Sequence, residues 1–231
     1  MAHWHAGQGL AGTSGLVASR SRCDESARGQ RAFPDGPDDA LAEKESELMP
    51  RIRPVEYAEA TPAVRAAHDE VIREHGRITN MKRTLLHSPP AFHALMEWYT
   101  LRETVQPFLG ERLINLFCHA ISTENDCLIC STFFRRILVE SGENPDRFAL
   151  DEREEVVVEF GRQLAKPFAR VPDALFARLA ATFTDEQIVA LTAFGALMVA
   201  TNVFNNALDV ELDGYLEPYQ KSSVAPTQEA G

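Results

Sequence analysis

The chain is poor in cysteine, with four in 231 residues, and poorer in tryptophan, with two. Four cysteines cannot staple a chain of this length, which excludes a disulfide scaffold as the basis of the fold. Positive charge is also scarce: 23 Lys and Arg stand against 34 Asp and Glu, a formal net charge of -11. Nucleic acid and anionic membranes need clustered positive charge, so neither is expected as a partner. No apolar run approaches the ~20 residues that span a bilayer. Met1 to Gly9 has neither the basic start nor the apolar stretch of a signal peptide. The expected address is the cytoplasm.

Strand signals are missing as well. No stretch of four or more residues alternates between apolar and polar, and the β-prone Val156-Val157-Val158 sits inside Glu-rich helical sequence. What is present is helical punctuation. Thr61-Pro62 and Ser88-Pro89 read as helix starts, and Gly76 closes the first of these helices. Phe92, Leu95, Met96 and Tyr99 recur at spacings of three and four, an apolar stripe. A helix follows Gly110 and ends in the cap-and-turn cluster Ser122 to Asp126. Others start near Cys127, Asp151 and Pro172, and Thr184-Asp185-Glu186-Gln187 has the capping-box pattern that launches the last, long helix. The expected fold is all-α, a compact multi-helix domain over residues 49–219. Residues 1–48, dominated by Gly, Ser, Ala, Arg and Asp without apolar period, read as a disordered N-terminal tail carrying the lone Cys23, and 220–231 as a polar C-terminal tail. Met49 is a second candidate start of translation.

The chemistry concentrates in Cys127-Leu128-Ile129-Cys130. On a helix, positions three apart share a face, so the two sulfurs can meet. Asn125 and Asp126 are good cap types, which sets Cys127 in the first turn, where free N–H groups and the helix dipole favour a thiolate. A thiolate attacks peroxides and disulfides, and a neighbouring thiol resolves the product. The bland alternative is two small core residues that fall three apart. Zinc would want four ligands; Cys118 and His119 are the only residues that extend the set, and no metal is expected. Cys118 reads as core, His119 as a packed helix residue or the imidazole nearest the dithiol.

The segment Ala120-Ile121-Ser122-Thr123-Glu124-Asn125-Asp126-Cys127-Leu128-Ile129-Cys130 resembles the helix–turn–dithiol segment of alkylhydroperoxidase D and its carboxymuconolactone decarboxylase relatives. Ser122, Asn125, Cys127 and Cys130 match that family's recurring Ser, Asn and C-x-x-C. Gly76 to Met81, His87-Ser88-Pro89, Asp185 to Thr192 and the asparagine-rich Asn202 to Leu208 extend the likeness over roughly residues 51–216. The resemblance implies Cys130 as attacking and Cys127 as resolving cysteine, no cofactor, and a homo-oligomer, trimer or hexamer. It also exposes two departures. Peroxidase members carry a Glu where this chain has Asn115 and a His where it has Phe134, a pair that relays the proton off the attacking cysteine. Asn does not titrate and Phe shuttles no proton. Glu111, His119 and Glu124 are the remaining candidates for that relay.

The expected function is therefore a thiol-dependent peroxidase or disulfide oxidoreductase, acting on a hydroperoxide or other small molecule and recharged by a dithiol reductant protein. The alternatives are a carboxymuconolactone decarboxylase-like lyase and a non-peroxidatic redox sensor or assembly component.

Overall fold

Local caps explain where the helices begin. The computed structural model describes residues 50–144 and 146–221; the expected N-terminal tail, and all but two residues of the C-terminal one, lie outside the described residues. Helix α1, Pro62–His75, starts from Thr61, whose side chain accepts from the Val64 amide, and closes on Gly76 at φ 71°. Only a residue free of a Cβ takes that left-handed turn without strain. Helix α2, Asn80–Leu85, is capped by Thr79; it is too short to show a period, and the cap is its one sequence signal. Helices α3, Pro89–Leu109, and α4, Glu111–Glu124, are separated by Gly110 alone. Then come α5, Leu128–Glu140, and α6, Glu152–Ala165, the latter opened by a reciprocal capping box between Asp151 and Glu154. Helix α7, Asp173–Thr182, precedes α8, Asp185–Ala207, which opens on the capping box of Thr184 and Gln187. Two 3-10 turns, Tyr57–Glu59 and Gly214–Tyr219, complete the order. Among the described residues there is no strand, and the fold class is all-α.

Helix α4 lies at the centre, packed by α3, α5, α6 and α8. Its Phe117 is fully buried and stacks on Phe160 of α6 and Phe194 of α8, with ring centroids 6.4 and 6.0 Å away. The close approach depends on two glycines that face this ring. A Cβ on Gly195 would lie 2.5 Å from Leu164 Cδ1 and 2.8 Å from Phe117 Cζ. Gly195→Ala gains at most about 1 kcal/mol of helix propensity, whereas overpacking a rigid core costs about 1–3 kcal/mol. We expect the overpacking to win and the thermal midpoint to fall by several degrees, at about 2–4 °C per kcal/mol. An unchanged midpoint in a thermal melt would show that Phe117 can step aside.

A smaller apolar cluster joins α1, α2 and the start of α3 through Val71, Leu85, Leu86 and Phe92. Helix α8 corrects one sequence-based expectation: as a helix it is long and apolar enough, by length and composition, to cross a bilayer. Its composition has a packing cause. Ile188, Leu191, Phe194, Met198, Asn202 and Asn205 form a buried row along it, the face that packs on other helices, while Val189 and Val203 are exposed.

Candidate active site

The turn between α4 and α5 is built differently from its sequence reading. Asn125 caps the end of α4, Asp126 sits at φ 50°, and Cys127 itself is the N-cap of α5. The dithiol therefore spans the N-cap and the third helical residue, and neither Asn125 nor Asp126 caps α5. Asn125 instead ties the turn to its neighbours. Its Nδ2 donates to Ala165 O at 2.8 Å, and its Oδ1 accepts from Asn202 Nδ2 at 3.2 Å. Asn206 Nδ2 donates to the Asn125 carbonyl at 2.9 Å, and buried Ser122 Oγ donates to Asn202 Oδ1 at 3.4 Å. The Cys127 amide donates to Ser122 O at 3.0 Å. These bonds bind the turn to α6 and α8, and satisfied buried networks of this kind hold one geometry.

Behind the sulfurs stands Asn205, 2% exposed. Its Nδ2 donates to Cys130 Sγ at 3.2 Å and reaches Cys127 Sγ at 3.9 Å. Its Oδ1 is buried without a partner. The sequence shows this residue only as part of the asparagine-rich segment Asn202 to Leu208, three asparagines within five residues of an otherwise apolar helix, and assigns it no role.

The two thiols are driven apart electrostatically. Cys127 is lowered to about 7, first by a hydrogen bond from the Cys130 thiol, against a burial cost, with help from the Cys130 and Ile129 amides and Asn205. Cys130 is pushed well above the ordinary thiol range, first by donating to Cys127 and then by burial. The pair loses one proton near neutrality, the charge rests on Cys127, and the second proton is held tightly.

Cys130 opens on a cavity of about 460 Å³, within the size range of small-molecule sites. Asn115 and Phe134, the two positions that depart from the peroxidase pattern, line it together with Cys130. So does Glu111, which accepts from Asn115 Nδ2 at 3.4 Å and is held by an ion pair to Arg102. The other two relay candidates are elsewhere. His119 packs edge-on against Phe148, 5.7 Å between centroids, and burial, then Arg135 and Arg162, lower its pKa to about 4. Glu124 is exposed at the end of α4. Cys118 is fully enclosed in the core. Among the described residues, no group of three or more His, Cys, Asp or Glu is placed to hold a metal ion.

No protein-family model matches the chain, and no curated protein matches it by sequence. Solved structures do. The alkylhydroperoxidase AhpD core of an uncharacterized peroxidase-related protein from Ralstonia eutropha JMP134 superimposes with a TM-score of 0.57 at 21% identity, over 72% of this chain and 94% of that one. The chain has the alkylhydroperoxidase D fold. An uncharacterized peroxidase-related protein from Silicibacter sp. TM1040 shares this alkylhydroperoxidase D fold at 15% identity and a TM-score of 0.55, over 71% of this chain and 93% of that one. So does the debrominase Bmp8, at 17% identity and a TM-score of 0.59, over 73% of this chain and 95% of that one. A variant of that debrominase is known in complex with 2,3,4-tribromopyrrole.

Proposed function

We propose that the chain is a thiol-dependent oxidoreductase that reduces a hydroperoxide or a disulfide, with Cys130 attacking and Cys127 first its base and then its resolving partner. The observation that carries this is the amide of Asn205 set between the two sulfurs, with Cys130 facing the cavity. Cys127 holds the charge, and Cys130 holds the proton and the access. As Cys130 attacks the terminal peroxide oxygen, its proton passes to the Cys127 thiolate. The O–O bond breaks, the alkoxide takes a proton to leave as alcohol, and Cys130 becomes a sulfenic acid. Cys127 then displaces hydroxide, which leaves as water, to form the Cys127–Cys130 disulfide. An external dithiol returns the pair to its reduced state. In this scheme Cys127 replaces the relay that Asn115 and Phe134 no longer supply.

One equivalent of hydroperoxide should remove both thiols and produce a Cys127–Cys130 disulfide by mass spectrometry, and continuous consumption should follow on adding a dithiol reductant. A sulfinate on Cys130 beside a free Cys127 would sink the resolving role. Oxidation without turnover would instead favour a sensor, and activity that survives thiol alkylation a lyase.

A second reading of the same thiols is reductive dehalogenation, in which two thiols and an aryl halide yield the arene, a disulfide and hydrogen halide. The aromatic wall of Trp98, Phe133 and Phe134 supports it. Halide release from a bromoarene, compared with hydroperoxide consumption, separates the two. We also assign the chain to the reducing cytoplasm, where a dithiol is regenerated, and to a homo-oligomer, which the exposed Val189 and Val203 of α8 support.

A further inference from the structure

The cavity in front of Cys130 holds more unmatched polar groups than thiol chemistry needs. Lys82, on α2, is 5% exposed and lines it. Among the described residues its ammonium makes neither a hydrogen bond nor an ion pair; it stands over the Tyr99 ring, 4.9 Å from the centroid. A lysine is almost never buried without a partner. Two buried nitrogens on the same cavity, Trp98 Nε1 and Arg136 Nε, are also unpartnered. One unmatched acceptor, Asp213 Oδ2, lies on the same cavity, its Oδ1 taking the Asn80 amide at 3.0 Å; the three donors outnumber it and point to a ligand that accepts from them.

The charges around the cavity narrow the choice. Glu111 is taken up by Arg102, and Arg136 pairs with Glu140 on its own helix at 3.0 Å. Among the described residues Arg77 and Lys82 line the cavity without an ion pair; Arg77 is exposed and lies over the Tyr215 ring, 4.0 Å from its centroid, so Lys82 is the buried one. The same cavity has an aromatic wall: Trp98 meets Tyr99, the ring under Lys82, at 5.2 Å and lies against Phe134, 6.2 Å between centroids, and Phe133 meets Phe134 edge-on at 5.1 Å. A positive head group site next to aromatic faces suits one class of small molecule.

We propose that the cavity binds planar aromatic carboxylates, the ring against Trp98 and Phe134 and the carboxylate on Lys82 Nζ. This names the substrate class for the thiol chemistry above and rests on the reading that Cys130 acts on what fills the cavity. An aromatic acid carrying a hydroperoxide, halide or disulfide would then present its reducible group to Cys130, with its charge compensated at the opposite end. Neutral hydroperoxides of the same shape would lack that anchor.

The probes are 2-naphthoate and the uncharged 2-naphthylmethanol, titrated calorimetrically into the reduced full-length protein. The carboxylate should bind about tenfold or more tightly, as expected of a charge-assisted hydrogen bond. Lys82→Met, which keeps the length and apolar stem, should bring the two affinities together while leaving the alcohol's unchanged. Equal binding of both probes by the parent protein overturns the proposal without any variant, and so does a preference that survives in Lys82→Met. Repeating the titration with Cys127→Ser/Cys130→Ser separates this inference from the redox one. Carboxylate preference in a protein whose parent form turns over no peroxide, halide or disulfide would leave the binding site standing and the oxidoreductase reading fallen. Turnover without preference would do the reverse.

Discussion

Placing a carboxylate and an imidazole back on the cavity wall, as Asn115→Glu with Phe134→His, should raise peroxide consumption at pH 7 about 10²-fold, the lower end of what a positioned general base contributes. In the parent protein Cys130 is held protonated by its hydrogen bond to Cys127, then by burial and by the charge on Cys127. Among the described residues, Cys127 is then the base that accepts from it. A base lowered to about 7 takes a proton less readily than an ordinary thiolate. An imidazole at 134 would offer a second acceptor, and a carboxylate at 115 would hold the resulting imidazolium. The single change Asn115→Glu should act in the opposite direction, because a lone negative charge disfavours a thiolate beside it. Both positions are buried, at 4% and 3% exposure, so thermal melts must accompany the kinetics. A folded double variant no faster than the parent would mean that Cys127 already suffices as base.

Removing the Asn205 amide should be nearly as large an effect. With Asn205→Leu, of similar volume, peroxide reactivity near pH 7 should fall about 10- to 100-fold. The amide donates to both sulfurs, and a hydrogen bond to a charged group is worth about 1.5–3 kcal/mol. For the same reason the inflection in alkylation rate, expected near pH 7 in the parent, should move upward, by only part of the whole lowering, because the Cys130 thiol contributes first and Asn205 after it. The sign follows from the charge: the donor favours the thiolate, so its loss raises the pH at which thiolate appears. Stability should not fall in step. Asn205 Oδ1 is buried without a partner, so the desolvation penalty relieved by its removal offsets part of what the lost bonds to sulfur cost. The diagnostic result is a midpoint that holds while the inflection moves. An inflection that stays at its parent value would remove Asn205 from the chemistry.

The helices and the dithiol are legible in the chain alone, because the forces that set them act within a few residues. Thr61 with Pro62 and Thr184 with Gln187 satisfy free amides of their own first turn, and those caps stand where their letters indicate. Cys127 and Cys130, three apart, stand at the N-cap and third position of α5, so the first turn brings them together. Packing between helices set everything that faces the sulfurs. Asn125 and Asp126 have the chemistry of a cap for α5, yet Asn125 is claimed by Ala165 and Asn202 from two other helices, and Cys127 becomes the cap. Glu111, Asn115 and His119 follow one another at four-residue intervals along α4, but only the first two reach the cavity, because Phe148 from beyond α5 takes the His119 ring. Asn205 comes to the cysteines, and Lys82 to the cavity that Cys130 lines, from helices distant in the chain. A contact between remote segments leaves no periodicity or cap in either one, so their roles exist only once α2, α5 and α8 are packed around one cavity.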